Sequence, residues 1–459
     1  MAGGTFNKRA GKVRPGTYIN FESTRQDTVS GSDRGIVIVP LTKATYGPGK
    51  KWITLTAASP DGAYAQLGYS IYDEDENRQM LLIREAFKRA SQVLVYITSE
   101  GAKATVTKTS TEEEAIASTI TATAKYGGTR GNSLYFAVAA NPVAGFDVTV
   151  TLDTSIIAEY EGLETVADLV AVDCEYITFT GEGNLFAIAG ANLTGGTDGE
   201  TENKDIMDFC DAWEGVKFNT VCFPITDAAL QAAAKTKIQY IRDDVGKGVQ
   251  VVMPDTASGD YEGVINVTNS VAIGEDRLSH AEACAWVAAA EAAAENTESL
   301  TYVAYDGATE VVDPKSHEEA VTAINNGEFF FSVSEAGDVV VEYDINSLIT
   351  FNKPKDKTYR KNRVIRVFDT FAESIQLNFP PNKFDNNATG WDIMEGIGRS
   401  ILKQFGPAED GGIGAITNVD AESDFLVDRE LSQGDETYFN VGLQAVDSAE
   451  KLYFTIATR

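Results

Sequence analysis

The order of apolar and polar positions divides the chain into stretches of different period. Gly35-Ile36-Val37-Ile38-Val39-Pro40 is a continuous apolar run of the kind buried on both faces of a sheet. Arg78 to Ala90 instead gathers Met80, Leu81, Ile83, Phe87 and Ala90 towards one side. Asp73, Glu74, Asp75 and Glu76 crowd its start and Arg84, Lys88 and Arg89 its end, the charge order that suits a helix dipole. Val93 to Ile97 closes a strand, helix, strand unit.

From about 103 to 183 the texture changes to Thr, Val and Gly with short runs such as Leu134 to Val138 and Phe146 to Val150, which predicts a small all-β domain inserted into the first. Strand and helix then alternate: strands over Asn184 to Ile188, Thr220 to Ile225 and Gly248 to Pro254, helices over Lys204 to Trp213 and Asp227 to Asp243. That rhythm belongs to a largely parallel sheet. Further on, Phe329 to Val333 and Val339 to Tyr343 form a hairpin pattern around Glu335-Ala336-Gly337-Asp338. A helix follows from Thr389, an imperfect capping box with Asp392, through Trp391, Met394, Ile397, Ile401, Leu402 and Phe405 to Gly406-Pro407. Tyr438 to Val446 and Lys451 to Ile456 read as strands, the second almost at the chain end. The start, residues 1 to about 25, has no period and reads as an arm carrying the β-prone pentapeptide Thr17, Tyr18, Ile19, Asn20 and Phe21. The fold class is therefore α/β plus an all-β insertion, multidomain over 459 residues.

Charge narrows the partners. With 68 acidic and 38 basic residues the formal charge is -30, which repels nucleic acid and anionic lipid. The head of the chain is basic and its middle acidic. Cys174, Cys210, Cys222 and Cys284 lie far apart without a C-x-x-C pair, so they read as core residues in a reducing cytosol, neither a zinc cluster nor a disulfide framework. The first ten residues lead into Gly, Lys, Arg and Pro where a signal peptide needs an apolar stretch, so no export is expected. Ala281 to Ala294, the most apolar helix pattern, is interrupted by Glu282 and Glu291 and is too short to span a bilayer, so no membrane insertion is expected either.

Candidate chemistry is sparse. His280 has Glu282 nearby and Cys284 one helical turn on, two ligands without the rest of a metal set, and His317 stands beside Glu318 and Glu319 without a triad partner. Gly47-Pro48-Gly49-Lys50-Lys51 imitates a phosphate loop, but Ala44 stands where its first glycine belongs and Lys51 replaces the magnesium-binding hydroxyl. Gly190 to Gly199 follows a strand and precedes a helix, yet lacks the G-x-G-x-x-G order, and Asp198, Glu200, Glu202 and Asp205 would surround a phosphate with negative charge. A nucleotide-binding α/β enzyme is thus the rival reading, with no catalytic residues, metal or cofactor to support it.

Four sequence blocks point elsewhere. Arg14-Pro15-Gly16-Thr17-Tyr18-Ile19, Leu193-Thr194-Gly195-Gly196-Thr197-Asp198-Gly199, Tyr261-Glu262-Gly263-Val264-Ile265-Asn266-Val267 and the series Glu342 to Asn346, Asn362 to Val367, Ile413 to Ile416 and Glu450 to Ile456 occur in this order over nearly the whole chain. In that order the chain resembles the tail sheath proteins of contractile phages and of phage-derived particles in Gram-positive bacteria. The resemblance implies a structural protein with a core built from both chain ends and with outward-facing insertions. It divides the chain into an arm (1–25), core parts (26–102 and 346–446), a β insertion (103–183), an α/β middle (184–345) and a terminal strand (447–459). It also implies self-assembly as hexameric rings stacked in a helix around a tail tube protein, with baseplate and tail terminator proteins at the ends.

Main-chain pairing supplies a mechanism, because a terminal strand on a tether can extend a neighbour's sheet. The expected exchange strands are Thr17 to Phe21 and Leu452, Tyr453, Phe454, Thr455 and Ile456. Arg399 and Lys403 are the expected contacts to an acidic tube.

Overall fold

The computed structural model describes residues 34–110, 118–257 and 259–458. Thr17 to Phe21 lie outside the described residues. The apolar run at the start becomes β1 (Ile36–Leu41) in the middle of a seven-stranded sheet with β2 (Trp52–Thr56), β3 (Gln92–Ile97), β4 (Thr220–Cys222), β5 (Gln250–Pro254), β6 (Val264–Val267) and β7 (Glu328–Phe329). The order is β7-β6-β5-β4-β1-β3-β2. All neighbours run parallel except β2, which is antiparallel to β3 at one edge. Parallel strands need cover on both faces, which explains why β1 throughout, and β5 from Val251 on, are apolar rather than alternating.

That cover is helical. Against one face pack α1 (Gln79–Phe87) and α4 (His280–Ala293), and against the other α2 (Asn203–Ala212) and α3 (Ala228–Asp243). The alanine-rich α4 is buried almost all round, the pattern of a helix enclosed on every side. It starts at a capping box, Glu282 N donating to Ser279 Oγ at 3.2 Å and Ser279 N to Glu282 Oε2 at 2.7 Å. A short helix α5 (His317–Asn325) leads into β7.

The β-rich insertion is a sandwich of a three-stranded sheet (Thr105–Thr109, Thr119–Ala124, Ile177–Glu182) and a four-stranded one (Ile188–Asn192, Leu134–Ala140, Phe146–Leu152, Ser155–Leu163). Phe136 and Phe179 meet edge to face between them, ring centres 5.6 Å apart. The strand expected over 184–188 lies instead at Ile188–Asn192 and pairs with Leu134–Ala140, so the sandwich runs past residue 183. At its neck the two connecting segments touch backbone to backbone. A Cβ on Gly101 would lie 1.6 Å from the Thr197 carbonyl oxygen, and one on Gly128, at φ +132°, 1.9 Å from that of Thr45.

Among the described residues, 34–102 and 346–446, expected as one core, do not share a sheet. The strands of the first join 220–329, while the second forms a separate cluster around Val367, Phe371, Ile401, Leu402, Phe405 and Phe425. Its frame is α6 (Asn362–Asn378) and α7 (Ala388–Phe405), with two small sheets, Ile416–Thr417 with Gln444–Ala445 and Phe425–Val427 with Phe439–Val441. The cap of α7 is Asn387, whose Oδ1 accepts from Gly390 N at 3.0 Å, so Thr389 falls inside the first turn rather than at the cap.

Candidate assembly interface

The rival reading meets the structure at the carboxyl ends of β1 and β4. The chain proceeds from β1 towards one edge of the sheet and from β4 towards the other, and at such a reversal α/β enzymes hold their ligands. A crevice of about 770 Å³ lies there, lined among others by Thr42, Lys43, Asp198, Glu200, Glu202 and Asp227. Its helix ends are taken. Asp227 Oδ1 accepts from Ala229 N at 3.0 Å and Leu230 N at 2.9 Å, and Asp205 Oδ2 from Glu202 N at 2.9 Å. Asp198 accepts from Thr129 N at 2.7 Å and from its hydroxyl at 2.8 Å. The amides that would cradle a phosphate are already bonded to carboxylates, and the remaining carboxylates repel one.

The other lures resolve similarly. Lys50 lies 2.7 Å from Asp205 and 2.8 Å from Asp208; these carboxylates raise its pKa and it lowers that of Asp205. His280 Nδ1 lies 2.7 Å from Asp255, and the Cys284 thiol donates to the His280 carbonyl at 3.3 Å. Among the described residues no group of three or more His, Cys, Asp or Glu could hold a metal ion, and no helix is long and apolar enough to cross a membrane.

At the C-terminal end the pattern is different. Leu452, Tyr453, Phe454 and Ile456 are 66, 90, 81 and 87 % exposed, an apolar concentration that a folded body ordinarily buries. The strand expected over Lys451 to Ile456 is not paired among the described residues, whose last ladder ends at Ala445. The residue before the segment is fixed. Glu450 Oε1 accepts from Ser299 and Thr301 hydroxyls, both at 2.8 Å, and its other oxygen pairs with the Lys361 ammonium. Lys361 also lies 4.2 Å from the centre of the Tyr343 ring, and Arg363 Nη1 donates to Ser448 Oγ at 2.5 Å.

Arg399 and Lys403 stand on one side of α7, and both turn towards Glu422: Arg399 Nη1 at 2.9 Å and Lys403 Nζ at 4.0 Å. Glu395 adds a second carboxylate 3.7 Å from Arg399. The pair is therefore locally neutralised, with Lys403 the more exposed at 65 % of its side chain.

A buried polar joint escaped the sequence reading. Glu291, in the last turn of α4, accepts from Asn362 Nδ2 at 2.8 Å and from Arg366 Nη2 at 2.6 Å. Asp344 accepts from Asn362 Nδ2 at 2.9 Å and Leu300 N at 2.9 Å. Arg366 Nη1 reaches the carbonyls of Glu295 at 3.1 Å and Glu298 at 2.7 Å. Burial, and then the nearby Asp344 carboxylate, raise the Glu291 pKa well above the carboxylate range. Burial works against the charge of Asp344 as well, but the hydrogen bond from Glu291 and the Arg366 guanidinium hold its pKa low. The two buried carboxyls are thus pushed in opposite directions around one guanidinium. The available signals were Glu291 inside an alanine helix and two arginines among β-branched residues.

Three family models match in succession: the phage tail sheath protein beta-sandwich domain over 99–198, the phage tail sheath protein central domain over 199–347 and the phage tail sheath C-terminal domain over 354–459. The XkdK protein of the phage-like element PBSX of Bacillus subtilis is 34 % identical over 99 % of both chains. The chain belongs to the phage tail sheath protein family. The sheath tail protein of Desulfitobacterium hafniense has the same fold as this sheath chain, with a TM-score of 0.78, 35 % identity and coverage of 96 % of this chain and 99 % of that one. The helical sheath of the anti-feeding prophage in its contracted state shares the fold alone, with a TM-score of 0.54 at 13 % identity over 98 % of this chain and all of that one.

Proposed function

We propose that this sheath subunit polymerises as stacked hexameric rings around a tail tube and contracts to drive the tube through a bacterial envelope. It belongs to a phage tail or phage-like particle assembled in the host cytoplasm, with baseplate and terminator proteins at the ends of the stack. Neighbouring subunits are linked by their chain ends, Thr17 to Phe21 and Leu452 to Ile456, each adding a strand to another copy's sheet. Contraction is then a rotation of the folded bodies between two packings while the strands stay paired, and needs no nucleotide. Arg399 and Lys403 face the tube.

The observation that carries this reading is the exposed apolar segment at Leu452, Tyr453, Phe454 and Ile456, mounted on the fixed Glu450. Its backbone joins no ladder among the described residues, and head-to-tail pairing with a neighbour's sheet would propagate as a helix. The test is electron microscopy of full-length chain beside chains lacking residues 1–21 or 452–459. Full-length protein should form hollow cylinders and both truncations should not; ordinary cylinders from either truncation overturn the reading.

A further inference from the structure

Residues 1–33 join the described body at Arg34, and the exposed C-terminal segment joins it at Glu450. Between these two residues runs an unbroken series of hydrogen bonds. Arg34 Nη2 donates to the Glu291 carbonyl at 3.1 Å, and the Glu291 carboxyl is held by Asn362 and Arg366. Asn362 passes to Asp344, whose backbone N–H donates to Thr301 Oγ1 at 3.0 Å. The Thr301 hydroxyl donates onward to Glu450, and Lys361, next to Asn362 in the chain, closes the far side. Glu291, Asp344, Asn362 and Arg366 are all buried, so water does not readily replace a lost partner.

We propose that Arg34 and Glu450 are positioning residues on one shared joint, so that releasing either chain end from its root loosens the other. A subunit whose C-terminal segment is drawn onto a neighbour would thereby present its N-terminal root differently, and the reverse follows by reciprocity. This consequence for assembly rests on the tether reading above. The coupling itself does not, because it is measurable in the unassembled chain.

The experiment is amide hydrogen exchange on the full-length chain, with unassembled protein isolated by sedimentation. Two reporters are set by the structure: Gly35 and Ile36 N–H, each bonded to Asn219 Oδ1 at 3.0 Å, and Val446 N–H, bonded to the Ala415 carbonyl at 2.9 Å. Glu450→Ala should speed exchange at Val446 and, across the joint, at Gly35 and Ile36, by about five-fold or more at each. Arg34→Ala should do the same in the opposite direction. In a Thr301→Val background, which removes the hydroxyl between Asp344 and Glu450 and leaves both root residues in place, Glu450→Ala should speed exchange at Val446 alone, an outcome that simple loosening of the fold does not produce. Glu450→Gln, which keeps the acceptor for Ser299 and Thr301 but loses the charge, serves if the alanine variant does not fold. Exchange that rises only at the mutated end, in both directions, overturns the proposal.

Discussion

The guanidinium of Arg366 lies 2.6 Å from the Glu291 carboxyl, with the two side chains 2 % and 1 % exposed. Removing the guanidinium leaves Glu291 and Asp344 together without a cation in a dry site. Arg366→Ala should therefore cost about 3–5 kcal/mol, far more than loss of an exposed pair. Urea denaturation of the unassembled chain measures it, and a loss under about 1 kcal/mol would contradict the enclosed geometry.

The same carboxyl gives the joint a pH signature. Glu291 has its pKa raised, so between the ordinary carboxylate value and the elevated one the folded state holds a proton that the unfolded state has released. Its contribution is fully present below the ordinary value and is lost as pH rises through that window. Asp344, with its pKa lowered, contributes above the ordinary value and loses its contribution as pH falls. Glu291→Gln has no titratable proton, so its stability should fall less than that of the natural chain as pH rises above the ordinary carboxylate value. Parallel pH profiles for the two would contradict the assignment.

Exposure predicts that the C-terminal segment is dispensable to the fold. Tyr453→Asp with Phe454→Asp should shift unfolding by no more than about 0.5 kcal/mol, since neither side chain is packed, while cylinder formation is lost. Thermal melting and sedimentation on the same samples separate the two effects.

On α7, Glu422 sets the sign of the tube test. Arg399→Glu with Lys403→Glu should weaken assembly on tubes, whereas Glu422→Gln frees Lys403, leaves Arg399 only Glu395, and should strengthen it. Both effects should shrink as salt rises, because the groups are exposed. Co-sedimentation with tubes reads all three, and unchanged binding after charge reversal removes these residues from the interface.

Much of the α/β body was legible because its elements carry undivided signals. β1 is an apolar run between Gly35 and Pro40, and α3 starts at Asp227 as its cap. The strand Ile188–Asn192 was misplaced because its residues include Ala189, Gly190 and Ala191, small side chains without β preference. Helix α6 went unread because Asn362, Arg363 and Arg366 occupy buried positions, erasing the polar and apolar alternation that would mark a helix. The joint was hidden for the same reason: its members lie on three separated segments, and only folding brings Glu291, Asp344 and Arg366 together. The exposed C-terminal segment was legible as β-prone sequence, while its lack of a ladder among the described residues depends on where the neighbouring strands end.

The contact of Gly101 with Thr197 and of Gly128 with Thr45 bears on how motion would spread through a particle. A neck with no space for even a methyl group has no room to flex, and Asn132 binds Gly196 across it through both its amide nitrogen and oxygen, at 3.0 and 2.8 Å. In the proposed sheath, a turn of the seven-stranded body would consequently be passed on to the far tip of the sandwich, so that the two would sweep as one piece.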